Sequence, residues 1–140
     1  MGEKSDPYRK QHEALLASVA EIRPLLASSA KARENAGTLR SWLSRFGGIL
    51  RVHLAMEDKA IYPELLKHPR EDVRRLAERF VQEMGGLKPD LERYLERWGT
   101  EAAIRADADD FVRDTARLVE VLERRIAAED GELYVLYDST

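Results

Sequence analysis

The sequence predicts an all-α fold, an up-down-up-down antiparallel four-helix bundle. Four stretches carry apolar residues in alternating steps of three and four. No stretch shows the period-two alternation of a strand, and the links between stretches are short. A chain of 140 residues is long enough for one ordinary domain and too short for two. Residues 1–140 are therefore read as a single four-helix domain.

The first stretch opens at Asp6-Pro7, a capping residue followed by proline at the first helical position. Its stripe is Tyr8, His12, Leu15, Val19, Ile22 and Leu26, with Pro24 on the other face and able to kink the helix late. The polar segment Ser28 to Gly37 reads as a connection. The second stripe, Leu39, Leu43, Phe46, Leu50, His53, Glu57 and Ile61, ends near His68-Pro69. Pro69 can open the third helix, which places Val73, Ala77, Phe80, Met84, Leu87, Leu91, Tyr94 and Trp98 on one face. A bend is expected at Pro89, which removes a backbone hydrogen bond. Gly99-Thr100 ends that helix, and Thr100 to Asp110 reads as a connection with room for one short helical turn. The last stripe is Phe111, Thr115, Leu118, Leu122, Arg125, Glu129, Leu133 and Leu136.

Composition bounds the function classes. Lysine and arginine number 23 against 26 acidic residues, and the signs are interspersed, which argues against a nucleic-acid surface or a polybasic membrane patch. No apolar run approaches the roughly 20 residues that span a bilayer, and the stretch MGEKSDPYRK lacks the hydrophobic region of a signal peptide. Without cysteine there can be no disulfide, thiolate ligand or iron–sulfur cluster. The expectation is a cytoplasmic protein with neither nucleic acid nor membrane as partner.

His53 and Glu57 stand where a core stripe calls for Leu, Ile or Phe. Burying an unpaired carboxylate costs several kcal/mol, on the order of 5 or more. The chain must therefore supply a metal, a cationic partner or a wet cavity at this point. The two halves of the sequence also repeat. HLAMEDKAIY (His53 to Tyr62) overlays RIAAEDGELY (Arg125 to Tyr134) at an offset of 72 residues, which matches Ala55 with Ala127, Glu57 with Glu129, Asp58 with Asp130 and Tyr62 with Tyr134. The same offset relates His12 to Met84. Each half thus has one special position on its first helix and two on its second. The first half fills them with His12, His53 and Glu57, the second with Met84, Arg125 and Glu129.

This layout resembles the hemerythrin-like, or HHE cation-binding, family over about Tyr8 to Tyr137. The resemblance is carried by a histidine early in helix one, by HLAMEDKAIYP in helix two, and by the E-D-x-x-L-Y echo in helix four. It implies a four-helix bundle, a non-haem di-iron centre held by histidines and bridging carboxylates, and a role in dioxygen binding, iron handling or redox sensing. By the resemblance, His12, His53 and Glu57 match ligand positions and Glu129 matches the second bridging carboxylate. Where the family has histidines in helices three and four, this chain has Met84 and Arg125. A thioether is a poor ligand for iron, and a guanidinium stays protonated and cannot be one.

Two readings of the site remain open. In the first, His12, His53, Glu57 and Glu129 hold one ion, non-haem iron or another divalent metal, with dioxygen or another small ligand as the external partner. In the second, no metal binds. The planar fork of Arg125 then joins Glu57 to Glu129, the histidines bond to neighbouring carboxylates or to the hydroxyls of Tyr62 and Tyr134, and the bundle serves as a non-enzymatic interaction or regulatory module. A metal-dependent redox enzyme is a third and weakest function, because no separate general acid, nucleophile or substrate pocket can be read. The paired glycines Gly47-Gly48 and Gly85-Gly86 suit close helix packing or a local kink, and more sharply a path for solvent or dioxygen.

Overall fold

A computed structural model describes residues 2–140, and these form an all-helical structure with no strand among them. Helix α1 spans Asp6–Ile22 and runs into a 3-10 turn at Arg23–Leu26, where Pro24 is accommodated. Helices α2 (Ser29–Glu34) and α3 (Ala36–Met56) come next. A π-helical turn, Glu57–Ile61, joins α3 to α4 (Tyr62–Leu66). Then come α5 (Glu71–Met84), α6 (Leu87–Arg97), α7 (Glu101–Ala106) and α8 (Ala108–Ala128). A second π-helical turn, Glu129–Leu133, leads into α9 (Tyr134–Ser139). Helix α1 packs on α3, α3 on α6, α6 on α8 and α8 on α1, which closes a ring of four rods.

Most of the stripes read from the sequence are the buried faces. They divide into two apolar clusters. One runs from Leu15, Leu50, Leu54 and Ile126 to Trp42, Phe46, Trp98 and Phe111. The other gathers Tyr8, Ile61, Tyr62, Phe80, Leu133 and Tyr134. On three of the rods the residues between the clusters are polar: His12 on α1, His53 and Glu57 on the second rod, Arg125 and Glu129 on the fourth. The bundle thus sandwiches a polar layer between two apolar ones. Polar groups of the large aromatics are satisfied locally; Trp42 Nε1 donates to the Ser18 carbonyl at 2.9 Å, and Tyr94 and Thr115 share a hydrogen bond of 2.7 Å.

Four expectations need correction. The segment Ser28 to Gly37 is helical, with Ser28 Oγ accepting from Lys31 N at 3.1 Å as the cap of α2. Helix three begins at Glu71 and not at Pro69, and it is broken at Gly85-Gly86, not bent at Pro89. Pro89 sits in the first turn of α6, where its missing N–H leaves no bond unmade. Finally, Tyr137 and not Leu136 faces the core in the last turn. The π turn explains this. Tyr134 N–H bonds back to the Glu129 carbonyl, five residues earlier, so one extra residue enters the turn and rotates the helix beyond it. Tyr62 N–H does the same with Glu57, and in both places two successive residues, Ile61-Tyr62 and Leu133-Tyr134, turn inward.

The adjacent glycines of α3 have opposite surroundings. A Cβ on Gly47 would stand 2.9 Å from Leu95 Cδ2, whereas one on Gly48 would meet nothing within 4 Å. Close approach of α3 and α6 is therefore the use of Gly47. We expect Gly48→Ala to raise unfolding stability by about 0.5–1 kcal/mol, through helix propensity alone. Gly47→Val should lower it by about 1–3 kcal/mol through overpacking. Urea denaturation of the two variants checks the contrast, and equal effects would contradict it.

Candidate metal centre

Four side chains from three rods meet in the polar layer. One nitrogen or oxygen from each of His12, His53, Glu57 and Glu129 lies within 4.8 Å of every other, and all four residues are buried. His12 Nε2 is 3.0 Å from His53 Nε2 and 3.1 Å from Glu129 Oε1. His53 Nε2 is 3.0 Å from Glu57 Oε1 and 3.9 Å from Glu129 Oε1. The π turns contribute to this convergence. Each begins at one of the two glutamates, so both carboxylates sit where the helix is locally widened.

The outward nitrogens decide the chemistry of the inward ones. His12 Nδ1 is 2.8 Å from Asp130 Oδ1, and His53 Nδ1 is 2.6 Å from Gln11 Oε1. Both partners are acceptors, so each Nδ1 carries the proton and donates it outward, an assignment made from the hydrogen-bond network. In the neutral imidazoles, both Nε2 lone pairs then point inward, at each other and at two carboxylate oxygens. Four acceptors facing one point repel unless a cation stands among them. Histidine ligands of metals are oriented in this way, by a carboxylate or carbonyl on the far nitrogen. Arg9 in turn holds Asp130, donating from Nη1 to its carbonyl at 3.2 Å, with the Asp130 carboxylate 3.7 Å away.

Arg125 closes the opposite side. Its Nε donates to Glu129 Oε2 at 3.2 Å, Nη2 to Glu57 Oε1 at 3.1 Å, and Nη1 to the Met84 carbonyl at 3.1 Å. The guanidinium therefore bridges the two carboxylates, as the metal-free alternative requires. The tyrosines of the repeat bond crosswise: Tyr62 OH donates to Glu129 Oε2 at 3.0 Å and Tyr134 OH to Glu57 Oε2 at 2.8 Å. Tyr134 OH also lies 3.1 Å from His12 Nε2, and its ring stacks on that imidazole with centroids 5.1 Å apart. No buried side-chain polar atom among the described residues lacks a hydrogen-bond partner.

These contacts shift the titrations apart. Burial works against the His53 imidazolium, but the carboxylates of Glu129 and Glu57 outweigh it and raise the pKa to about 9. Burial pushes the Glu57 carboxyl above its ordinary range, against the pull of His53. Burial acts on Glu129 too, yet its bonds to His12 and His53 and the charge of Arg125 hold it well below the usual carboxylate range. Burial raises both Tyr62 and Tyr134, with the neighbouring glutamates adding to it, so both hydroxyls stay protonated donors.

Sequence reasoning named His12, His53, Glu57, Glu129, Met84 and Arg125, and these form the core of the layer. It missed Gln11, Asp130 and Arg9, the outer partners. Their signal was present but faint: Gln11 directly precedes His12, and Asp130 belongs to the repeated Glu-Asp pair. Met84 contributes only its carbonyl, to Arg125.

The donor set could hold a metal ion. Ligand atoms bound to a common metal at about 2.1 Å stand about 3.0–3.4 Å from one another. His12 Nε2 meets His53 Nε2 and Glu129 Oε1, and His53 Nε2 meets Glu57 Oε1, within that range, while His53 Nε2 and Glu129 Oε1 are 3.9 Å apart. Two imidazoles with two carboxylates suit a divalent first-row metal. A cleft of about 370 Å³ opens beside Tyr62, Phe80, Gly85, Pro89 and Arg125, with Asp58 and Lys88 at its rim. No described helix is long and apolar enough to cross a membrane.

No curated protein and no solved structure matched the chain. The family model of the hemerythrin HHE cation binding domain matches residues 4–137. The buried cluster that could hold a metal lies within that span, and the chain belongs to the hemerythrin HHE cation-binding family.

Proposed function

We propose that this protein is a mononuclear member of its family, in which His12, His53, Glu57 and Glu129 hold one divalent ion and Arg125 occupies the place of a second. The observation that carries the reading is the pair of Nε2 lone pairs, fixed inward by Asp130 and Gln11 and facing two carboxylate oxygens. Iron is the ion favoured by the family, and when bound it would supply reversible redox chemistry or a site for a small ligand. Arg125 donates to Glu129 Oε2 and Glu57 Oε1, and Tyr62 and Tyr134 donate to the Oε2 atoms of Glu129 and Glu57. Asp130 and Gln11 hold the imidazoles in register. The closed ring of rods among the described residues supports an up-down-up-down antiparallel bundle forming a single domain. Dioxygen or another small ligand is the proposed external partner. The proposed setting is cytoplasmic, and the proposed role is iron- or redox-responsive, without catalysis.

A second reading has a specific observation in its favour, the bridge of Arg125 between Glu57 and Glu129. In it the guanidinium and a protonated His53 neutralise the two carboxylates without metal, and the bundle acts through its surface.

Metal content separates the two. After expression in iron-supplemented medium, elemental analysis should find about one iron per chain, with no oxo-bridged di-iron absorption band. His53→Ala should lose the metal while the helical content stays. A folded wild type that takes up neither iron nor zinc would leave the metal-free reading standing.

The same geometry makes stability and metal uptake depend on pH. His53 binds a proton more tightly in the folded, metal-free protein (pKa about 9) than in the unfolded chain, near 6.5. Its contribution to stability is therefore complete below pH 6.5 and is lost as pH rises through 9. The Tm of the metal-free protein should fall across that window. Zinc displaces the proton, so adding it at about pH 7.5 should release about one proton per chain, readable with an indicator dye in weak buffer.

The repeat supplies another test. Asp58 and Glu83 stand 72 residues before Asp130 and after Gln11, so acidic groups occupy the outer positions of the second half too. Met84→His combined with Arg125→His should raise the metal content from one ion to two. A double variant that is folded, purified with iron and still limited to one ion would contradict this account of the second half.

A further inference from the structure

A permanent cation in direct contact with two metal-ligand candidates has a consequence for the charge the centre can accept. We propose that Arg125 is a specificity-determining residue that restricts the centre to a divalent ion and opposes oxidation of bound iron from Fe(II) to Fe(III). The inference rests on the proposed single-ion centre.

Arg125 is pinned by three contacts to Glu129 Oε2, Glu57 Oε1 and the Met84 carbonyl, so the guanidinium cannot turn from the site without leaving bonds unmade. The buried charged groups of the described chain are few: Glu57, Glu129, Arg125 and the two histidines. With neutral imidazoles, two carboxylates and one guanidinium sum to one negative charge. A divalent ion would leave the layer at one positive charge, and a trivalent ion at two. No third buried carboxylate is available among the described residues to offset the excess. Asp130 is the nearest outer acid, and Arg9 already pairs with it. The tyrosine hydroxyls of Tyr62 and Tyr134 are neutral donors to the same carboxylates and add no negative charge.

Arg125 also acts on a donor atom directly. Glu57 Oε1 is both the oxygen 3.0 Å from His53 Nε2 and the oxygen that accepts from Arg125 Nη2. Sharing that oxygen with a guanidinium draws electron density from it, which weakens it most for the ion of higher charge. A unit charge one carboxylate away, in a partly buried setting, is worth on the order of tenfold to a hundredfold in an equilibrium constant. The oxidation in question moves one electron from Fe(II) to an external one-electron acceptor such as ferricyanide, which becomes ferrocyanide. No bond need form or break.

The test uses the full chain, loaded without oxygen with one Fe(II) per chain and titrated against the ferricyanide–ferrocyanide couple. Appearance of the high-spin Fe(III) electron paramagnetic resonance signal is the readout. We expect Arg125→Gln to favour Fe(III) at least tenfold more than wild type, a midpoint lower by about 59 mV or more for a one-electron couple. Arg125→Lys, which keeps the charge, should stay near wild type. Equal midpoints in wild type and Arg125→Gln would overturn the proposal. Should Arg125→Gln not fold, wild type alone suffices. Offered Zn(II) and the redox-inert trivalent Ga(III) in competition, it should take Zn(II) and exclude Ga(III), and equal uptake of both would overturn the proposal. A wild type that binds neither Zn(II) nor Fe(II) fails at the earlier step, and removes the single-ion reading together with this one.

Discussion

Two carboxylates buried at the centre of a helical bundle are the constraint on which the rest of this structure depends. Glu57 and Glu129 are without solvent exposure, and an isolated ionised carboxylate in such a place costs several kcal/mol, on the order of 5 or more. Every contact in the polar layer can be read as part of the compensation. Arg125 joins the two, Tyr62 donates to Glu129 and Tyr134 to Glu57, and the histidines face Glu129 Oε1 and Glu57 Oε1. The apolar clusters above and below exclude water, which strengthens these bonds and raises the penalty for losing any one of them.

The backbone is shaped around the same pair. A regular α-helix cannot turn both Glu57 and Tyr62 inward, because five residues at about 100° each bring the second to the far side. The π turns remove that obstacle, since the Tyr62 and Tyr134 amides reach back five residues to the carbonyls of Glu57 and Glu129. With both tyrosines turned in, each hydroxyl reaches the carboxylate of the opposite half. The repeat in the sequence is therefore a repeat of geometry. Of the three special positions in each half, two break the symmetry: His12 answers to Met84, and His53 answers to Arg125.

How much of this was legible in the sequence depends on what each feature requires. The helical stripes were readable because burial imposes a period near 3.6, and Leu39 through Ile61 or Val73 through Trp98 repeat it many times over. The π turns were not, since a single inserted residue leaves no periodic trace. That is why Leu136 was expected in the core and Tyr137 was not. The break at Gly85-Gly86 was misplaced because Pro89, the stronger breaker by rule, falls in a first turn where it does no harm. Among the site residues, those on core stripes stood out by being polar where Leu was expected. Gln11, Asp130 and Arg9 did not, because on a charged chain a polar residue beside the stripe looks like ordinary solvated surface. Arg125 was visible, but spacing fixes the root of a long side chain and not the direction of its head. Only the folded geometry joins its guanidinium to both carboxylates.

Arg125, standing where the first half of the repeat has His53, is better understood in the proposed centre as a change in the kind of cation than as simple loss. A metal ion in the second place would be exchangeable, variable in charge and removable by a chelator. A guanidinium is none of these: it is covalently fixed, it keeps one proton count across the accessible pH range, and its fork meets two carboxylates at once. With Arg125 in place, half of the charge compensation is built into the chain and is present as soon as the bundle folds. The remaining half, one negative charge facing two inward imidazole nitrogens, can be met by a proton on His53 or by a metal ion. That division gives the bundle a way to stay folded without metal while keeping one site open to it. It also ties the two occupants together, because whatever enters beside His53 must tolerate a permanent positive neighbour on the oxygen it shares.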